Sequence, residues 1–210
     1  SVIGDRALSD NPETVILLGK AIIEGLESAG ISAVIKHIPG HGRAEVDSHE
    51  SLPKIDIGET DLLSRDFRPF VQLNNAVAAM TGHLLFPRID PIYPVTFSKK
   101  IVKEVIRNLI GFKGVLISDD LSMNALTGAI DYRLNKALEA GCDIALHCNG
   151  DLEEMELIAK ACPSMSNPVR NRIEILLKNI TRVSENRKFF DTELLKVALN
   201  KGLKEYSNLI

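Results

Sequence analysis

Four short runs of small and β-branched apolar residues alternate with helical stretches, and each run ends in ionisable side chains; few architectures accommodate that order. The runs are Ile31 to Ile35, Ala76 to Met80, Val115 to Ile117 and Asp143 to Leu146. Between and before them lie helical patterns. Pro12 sits in a first helical turn after Asn11, and Val15, Leu18, Ile22, Ile23 and Leu26 recur at helical spacing up to Gly30. Further helices are expected around Leu62 to Leu73, Lys99 to Leu109 and Arg133 to Ala140. Strands that alternate with helices imply parallel βαβ units, and such α/β folds place their chemistry at the carboxyl ends of the strands. Periodicity does not choose between a closed barrel and an open doubly wound sheet. From Asp151 onward only helices are expected, with Leu157, Ile158, Ile173, Leu176, Leu177, Leu194, Leu195 and Leu203 as packing positions, and this tail reads as scaffold.

A length of 210 residues with 45% hydrophobic and 25% charged side chains suits one folded domain. The net charge of -3 and the dispersal of the basic residues argue against a nucleic-acid partner. No apolar run approaches the ~20 residues that span a bilayer, so no membrane partner is expected. The opening Ser1-Val2-Ile3-Gly4-Asp5-Arg6 has neither an initiator Met nor a signal-like apolar region and reads as the interior of a longer chain. Cys142, Cys148 and Cys162 are an odd number without metal-finger spacing, which favours reduced thiols in the cytoplasm, with Cys142 and Cys148 as small buried hydrophobes.

The strongest local signal is Lys36-His37-Ile38-Pro39-Gly40-His41-Gly42, followed by Asp47-Ser48-His49 and Leu52-Pro53. Three histidines within thirteen residues, on a segment leaving a strand, are too dense for packing. Asp47 and His49 are two apart, so an extended segment points both to one face, where the carboxylate can orient the imidazole for general acid/base work. The second signal is Ile117-Ser118-Asp119-Asp120 at the end of a buried strand. Two adjacent carboxylates there need partners. Asp120 suits the N-cap of a following helix, which leaves Asp119 free to face a pocket as a nucleophile.

These motifs, together with Leu121-Ser122-Met123 after Asp120, Gly141-Cys142-Asp143 and Cys148-Asn149, resemble in order the signatures of the β-N-acetylglucosaminidases of glycoside hydrolase family 3. The resemblance runs from Ser1 to about Asn149. It implies a (β/α)8 TIM barrel, of which this chain supplies roughly the C-terminal half in residues 1–150, with residues 151–210 as helices that complete it or pack on it. It implies a retaining exo-glycosidase that removes terminal N-acetylglucosamine from peptidoglycan-derived muropeptides, a cytoplasmic step in cell-wall recycling that needs no cofactor and no metal. Asp119 then forms the covalent glycosyl-enzyme, and His49, paired with Asp47, serves as general acid and base. Arg6, Lys36 and His37 bind the sugar hydroxyls, while His83 and Met123 line the pocket. A barrel needs about eight strands, so the resemblance also implies that an N-terminal half or a second copy completes it.

Three other readings remain open on the residues alone. His37, His41, His49, His83, Asp47 and Asp119 at strand ends could ligate a metal in a barrel hydrolase. The chain could bind sugar without turnover. The same chemistry could also run with phosphate as acceptor, since a histidine acid/base tolerates an incoming anion better than a carboxylate would.

Overall fold

In the computed structural model, which describes residues 2–185, four strands form one parallel sheet in chain order: β1 (Val34–Ile38), β2 (Ala78–Thr81), β3 (Val115–Asp120) and β4 (Ile144–Leu146). Val34 pairs with Ala78, Ala78 with Val115 and Ile117 with Ile144. Parallel neighbours require a crossover that returns the chain to the starting end. All four carboxyl ends therefore lie along one rim. The strand order never reverses, whereas a doubly wound sheet reverses at its switch point; the alternative left open by periodicity resolves in favour of the barrel arrangement. Among the described residues β1 and β4 are each paired on one side only.

β1 and β2 begin and end later than the apolar runs suggest, β3 ends later and β4 begins one residue later. β1 starts at Val34 and continues through Lys36-His37 to Ile38, which places two ionisable residues inside the strand instead of on the loop after it. Its ladder to β2 shifts register between Lys36 and Ile38. β3 likewise extends through Asp120.

Helix α1 (Pro12–Ser28) begins at Asn11, whose Oδ1 accepts from the backbone N–H of Glu13 at 2.9 Å and of Thr14 at 3.4 Å. It buries no residue fully. Its apolar side leans on the helical stretch Arg68–Gln72, and Leu17, Leu18 and Ile22 stay exposed. α2 (Ile101–Leu109), wound as a π-helix, turns Ile101, Val102, Val105 and Ile106 into the core. α3 (Ile130–Ala140) buries Ile130, Leu134, Ala137 and Ala140, a stripe at helical spacing, and ends at Gly141, whose φ of 116° is left-handed and costs a glycine little. α4 (Leu152–Ala161), capped by Asp151, packs on α3, and α5 (Asn167–Glu185) touches β3. No helix among the described residues is long and apolar enough to cross a membrane.

Phe67, Phe86, Phe112, Leu116, Leu121 and Leu134 are fully buried between sheet and helices. Each such side chain stabilises the fold by roughly 1.5–3 kcal/mol relative to exposure. In the tail, Ile158 packs against the core, but Leu157 and Leu177 are half exposed at 50% and 55%, because each helix turns only a narrow stripe inward. Leu194, Leu195 and Leu203 lie outside the described residues. Cys142 is buried, and desolvation pushes its thiol up to about 12, whereas Cys148 is exposed on the loop after β4, contrary to the expectation that it is core.

One polar cluster ties the lower end of the sheet together. The Asp143 side chain, 1% exposed, accepts from Arg107 at 2.9 Å, from both Nε and Nη2 of Arg172, and from the Leu116 N–H at 2.9 Å. A single carboxylate thus joins β3, β4, α2 and α5. Removing one partner of a buried ion pair costs about 3–5 kcal/mol. Asp143→Ala is therefore expected to lower stability by about that amount, read as a shifted urea midpoint, and an unchanged midpoint would show that the cluster carries no net stability.

Candidate active site

The carboxyl ends of β1 and β3 and the loop after β1 enclose a cavity of about 160 Å³. Arg6, Lys36, His37, His41, Asp47, Ser48, His49 and Asp119 line it, with Val2 and Ile3 at one wall. Regular strand geometry would send Lys36 and His37 to opposite faces. The register shift between Lys36 and Ile38 is what lets both reach one cavity.

Asp119 stands at the floor, with its side chain 15% exposed. Its Oδ1 accepts from the Asp120 N–H at 2.9 Å, which leaves Oδ2 directed at the cavity, 3.5 Å from His37 Nε2. His37 and His41 pack ring against ring at 5.3 Å. They fit because position 82 is glycine: a Cβ there would lie 3.2 Å from His37 Cβ and 3.3 Å from His41 Cδ2. Desolvation pulls the His37 pKa down to about 4; Asp119 opposes the shift, while His41, Lys36 and Arg6 reinforce it. Burial also lowers that of His41. Both rings are therefore neutral near neutral pH.

Asp47 and His49 form the dyad at the rim. Asp47 Oδ1 lies 2.8 Å from His49 Nδ1 and also accepts the His49 backbone N–H at 2.9 Å. These bonds from His49 hold the Asp47 carboxyl below its ordinary range, so it stays charged opposite the ring. The dyad is open to solvent, with side-chain exposures of 73% for His49 and 48% for Asp47. Its loop is fastened at several points. Arg43 Nε bridges both carboxylate oxygens of Asp66 at 2.8 and 3.0 Å, the Asp47 carbonyl accepts from Glu50 and Ser51, and buried Ser48 accepts from the Ala125 N–H at 3.2 Å through its carbonyl.

The structure brings together Asp119, Asp47, His49, Arg6, Lys36 and His37, and departs from expectation at three other residues. His83 is fully buried and does not line the cavity; its Nδ1 lies 2.7 Å from Thr96 Oγ1 and its Nε2 2.9 Å from the Asp120 carbonyl. Met123, 5% exposed, is likewise absent from the cavity wall, because the turn after β3 folds it inward, with its N–H on the Asp120 carbonyl. Asp120 caps no helix. Although partly desolvated, its carboxyl is held below its ordinary range by Ser122 and the Cys148 N–H, so it joins the loops after β3 and β4. α3 begins only at Ile130, too far along the chain to be capped by it.

Sequence reasoning did not place His41 and Ser48 in the cavity wall. The histidine density around position 41 was a usable signal. Ser48 gave none, since it acts through a backbone carbonyl. His147, on the loop after β4 with its Nε2 3.3 Å from Glu154 and its Nδ1 3.9 Å from Asp120, was given no role either. Among the described residues no three His, Cys, Asp or Glu side chains are arranged to hold a metal ion.

Residues 1–183 match the model of the glycosyl hydrolase family 3 N-terminal domain. The chain is 39% identical over 163 residues to a β-hexosaminidase of Hydrogenovibrio crunogenus, covering 76% of this chain and 45% of that one. It is 37% identical over 177 residues to a β-hexosaminidase of Pseudomonas aeruginosa, covering 83% and 53%. The chain thus spans about half the length of the curated relatives it matches. Among solved structures it superposes on NagZ of Neisseria gonorrhoeae in complex with N-trifluoroacetyl-D-glucosamine with a TM-score of 0.74 and 31% identity, covering 89% of this chain and 60% of that one. A family 3 β-N-acetylglucosaminidase of a Paenibacillus species gives 0.73 and 29%, covering 89% and 37%.

The buried histidines make stability depend on acidity. Between 6.5 and about 4 the unfolded chain binds a proton at His37 that the folded chain does not. Stability is therefore full above that window and is lost as the pH falls through it. The melting temperature is expected to drop across this range, and to drop less in His37→Asn. Parallel profiles for the two proteins would show that His37 is not the group responsible.

Proposed function

The chain belongs to glycosyl hydrolase family 3, and from that premise we propose that it carries the catalytic half of a retaining β-N-acetylhexosaminidase. The reading rests on one observation: a carboxylate, an Asp–His dyad and a set of cationic and imidazole donors line the same small cavity. The named relatives are β-hexosaminidases, and the Neisseria structure holds an N-acylated glucosamine analogue.

In the proposed cycle Asp119 Oδ2 attacks the anomeric carbon while His49 donates a proton to the departing glycosidic oxygen. The covalent glycosyl-aspartate forms and the aglycone leaves as an alcohol. Neutral His49 then takes a proton from water, whose oxygen attacks the anomeric carbon, and the C–O bond to Asp119 breaks. Asp47 holds the ring through Nδ1 and steadies its cation, leaving Nε2 for the proton traffic. The common plan for retaining glycosidases uses two carboxylates. A histidine in place of the second avoids adding a negative charge beside Asp119 when the substrate is itself anionic, as a muropeptide is. Arg6 and Lys36 orient the sugar, since ionised donors make the stronger hydrogen bonds, and His37, neutral at working pH, adds a further donor or acceptor.

The finer reading is exo-cleavage of terminal N-acetylglucosamine from peptidoglycan fragments in the cytoplasm. The strand-bearing part up to residue 150 forms half of the barrel, the described residues 151–185 serve as accessory helices, and the open sides of β1 and β4 are completed by four or so further strands from another segment or a second copy.

A fluorinated N-acetylglucosaminyl trapping reagent should leave its mass on the peptide that holds Asp119, and Asp119→Ala should abolish the adduct. An adduct elsewhere would reassign the nucleophile. His49→Ala should slow substrates with poor leaving groups by on the order of 10²–10⁴-fold, the usual worth of acid/base catalysis, and activated aryl glycosides far less in the first step. Equal losses on both would remove His49 from the acid role.

A further inference from the structure

Beneath the cavity floor lies a group of polar side chains that the cycle above does not use. Thr81, His83 and Thr96 are each fully buried, and every polar atom they carry faces another. The acceptor at one end fixes the direction of every proton. The Asp120 carbonyl can only accept, so His83 Nε2 carries the hydrogen and donates to it over 2.9 Å. In a neutral ring Nδ1 is then an acceptor, and it takes the Thr96 hydroxyl hydrogen over 2.7 Å. Thr96 Oγ1 in turn accepts from the Thr81 hydroxyl at 2.9 Å, and Thr81 Oγ1 accepts from the Asp119 N–H at 3.4 Å.

That path starts at the Asp119 N–H and ends at the Asp120 carbonyl. We infer that His83, through Thr96 and Thr81, is a positioning residue for Asp119: it closes a ring of hydrogen bonds around the Asp119–Asp120 backbone and so fixes the peptide that aims the carboxylate. The inference rests on the reading of Asp119 as nucleophile. Its physical link is the Asp120 N–H, which holds Asp119 Oδ1 at 2.9 Å and leaves Oδ2 for the cavity. If that peptide rotated, the amide would carry Oδ1 with it and Oδ2 would miss the anomeric carbon. A ring with no spare donor resists the rotation, because any turn strands a buried N–H or O–H. The ring also requires a neutral imidazole. Burial holds His83 below its ordinary value against the opposing pull of the Asp120 carbonyl, Asp119 and Asp120, with Arg133 assisting, so the ring is neutral near neutral pH.

Three measurements on the full chain test this. Isotope-labelled histidine NMR, with His83 assigned by its loss in His83→Gln, should show a neutral ring protonated on Nε2 alone. A proton on Nδ1, or a ring titrating near the ordinary 6.5, would overturn the ring. In Thr96→Val, which keeps shape and removes the hydroxyl, the Asp119 amide signal should move, and it should return in Thr96→Ser. With a hexosaminide substrate, kcat should fall on the order of tenfold or more in Thr96→Val, as small misplacements of reacting groups do, with KM little changed because Arg6, Lys36 and His37 are untouched. Thr96→Ser should restore kcat. An unmoved Asp119 amide or an unchanged kcat would overturn the positioning role. If the wild-type chain forms no adduct at Asp119, the proposed function fails, while the histidine and amide signals still decide the ring.

Discussion

The backbone ladder that holds β3 between β2 and β4 is the constraint on which the rest depends. Parallel pairing allows no freedom in direction, so once Val115 is registered against Ala78 and Ile117 against Ile144, the residues that follow Ile117 must emerge at the rim. Those residues are Ser118, Asp119 and Asp120. Ser118 turns inward, where its hydroxyl accepts from the Leu146 N–H at 2.9 Å, and Asp119 is directed at the cavity. Asp143 secures the opposite end of the same two strands by joining the Leu116 N–H to two guanidinium groups. A carboxylate at the lower end therefore keeps the register that delivers another carboxylate to the upper end.

Around the cavity, burial is graded. The floor is nearly dry, with His37 neutral beside Asp119, whereas the Asp47–His49 dyad is open to solvent. In the proposed cycle this division gives the drier group the bond to the sugar and the wetter one the proton exchange with water. An electrostatic interaction is stronger where water is excluded, so the contacts that orient the carboxylate lie deepest. The dyad is fixed differently, through backbone carbonyls and the Arg43–Asp66 ion pair, which leaves its side chains open to solvent.

The sheet meets its helices unevenly. α2 and α3 bury full apolar stripes, whereas α1 leaves Leu17, Leu18 and Ile22 exposed and β1 and β4 keep one side unpaired among the described residues. Unpaired strand edges and open apolar helix faces invite further polypeptide. This agrees with the chain's coverage of about half the length of its relatives.

Much was legible in the sequence because it follows from local rules. Short apolar runs between helical patterns gave four parallel strands, and ionisable residues just past each run marked the rim. Asp119, Lys36 and His37 were identifiable as unusual residue types at strand ends and Asp47 and His49 as a pair two apart, although that pair stands in a hydrogen-bonded turn rather than an extended segment, and Arg6 was named only through the family resemblance. Other features depended on partners distant in the chain. Periodicity could not choose between barrel and doubly wound order, because pairing between strands is non-local, and only the family resemblance pointed to the barrel. His83 looked the same as His37, a histidine past a strand, yet one lines the cavity and the other lies beneath it. What separates them is the register shift in β1 and the presence of Thr96, a residue from the next segment, within hydrogen-bonding distance of His83. Asp120 was expected to cap a helix and instead joins two loops, since its partner Cys148 lies 28 residues away. The chain itself determined which side chains could perform chemistry; tertiary structure decided which of them share a cavity, because burial and hydrogen-bond partners are set by residues that the local pattern cannot see.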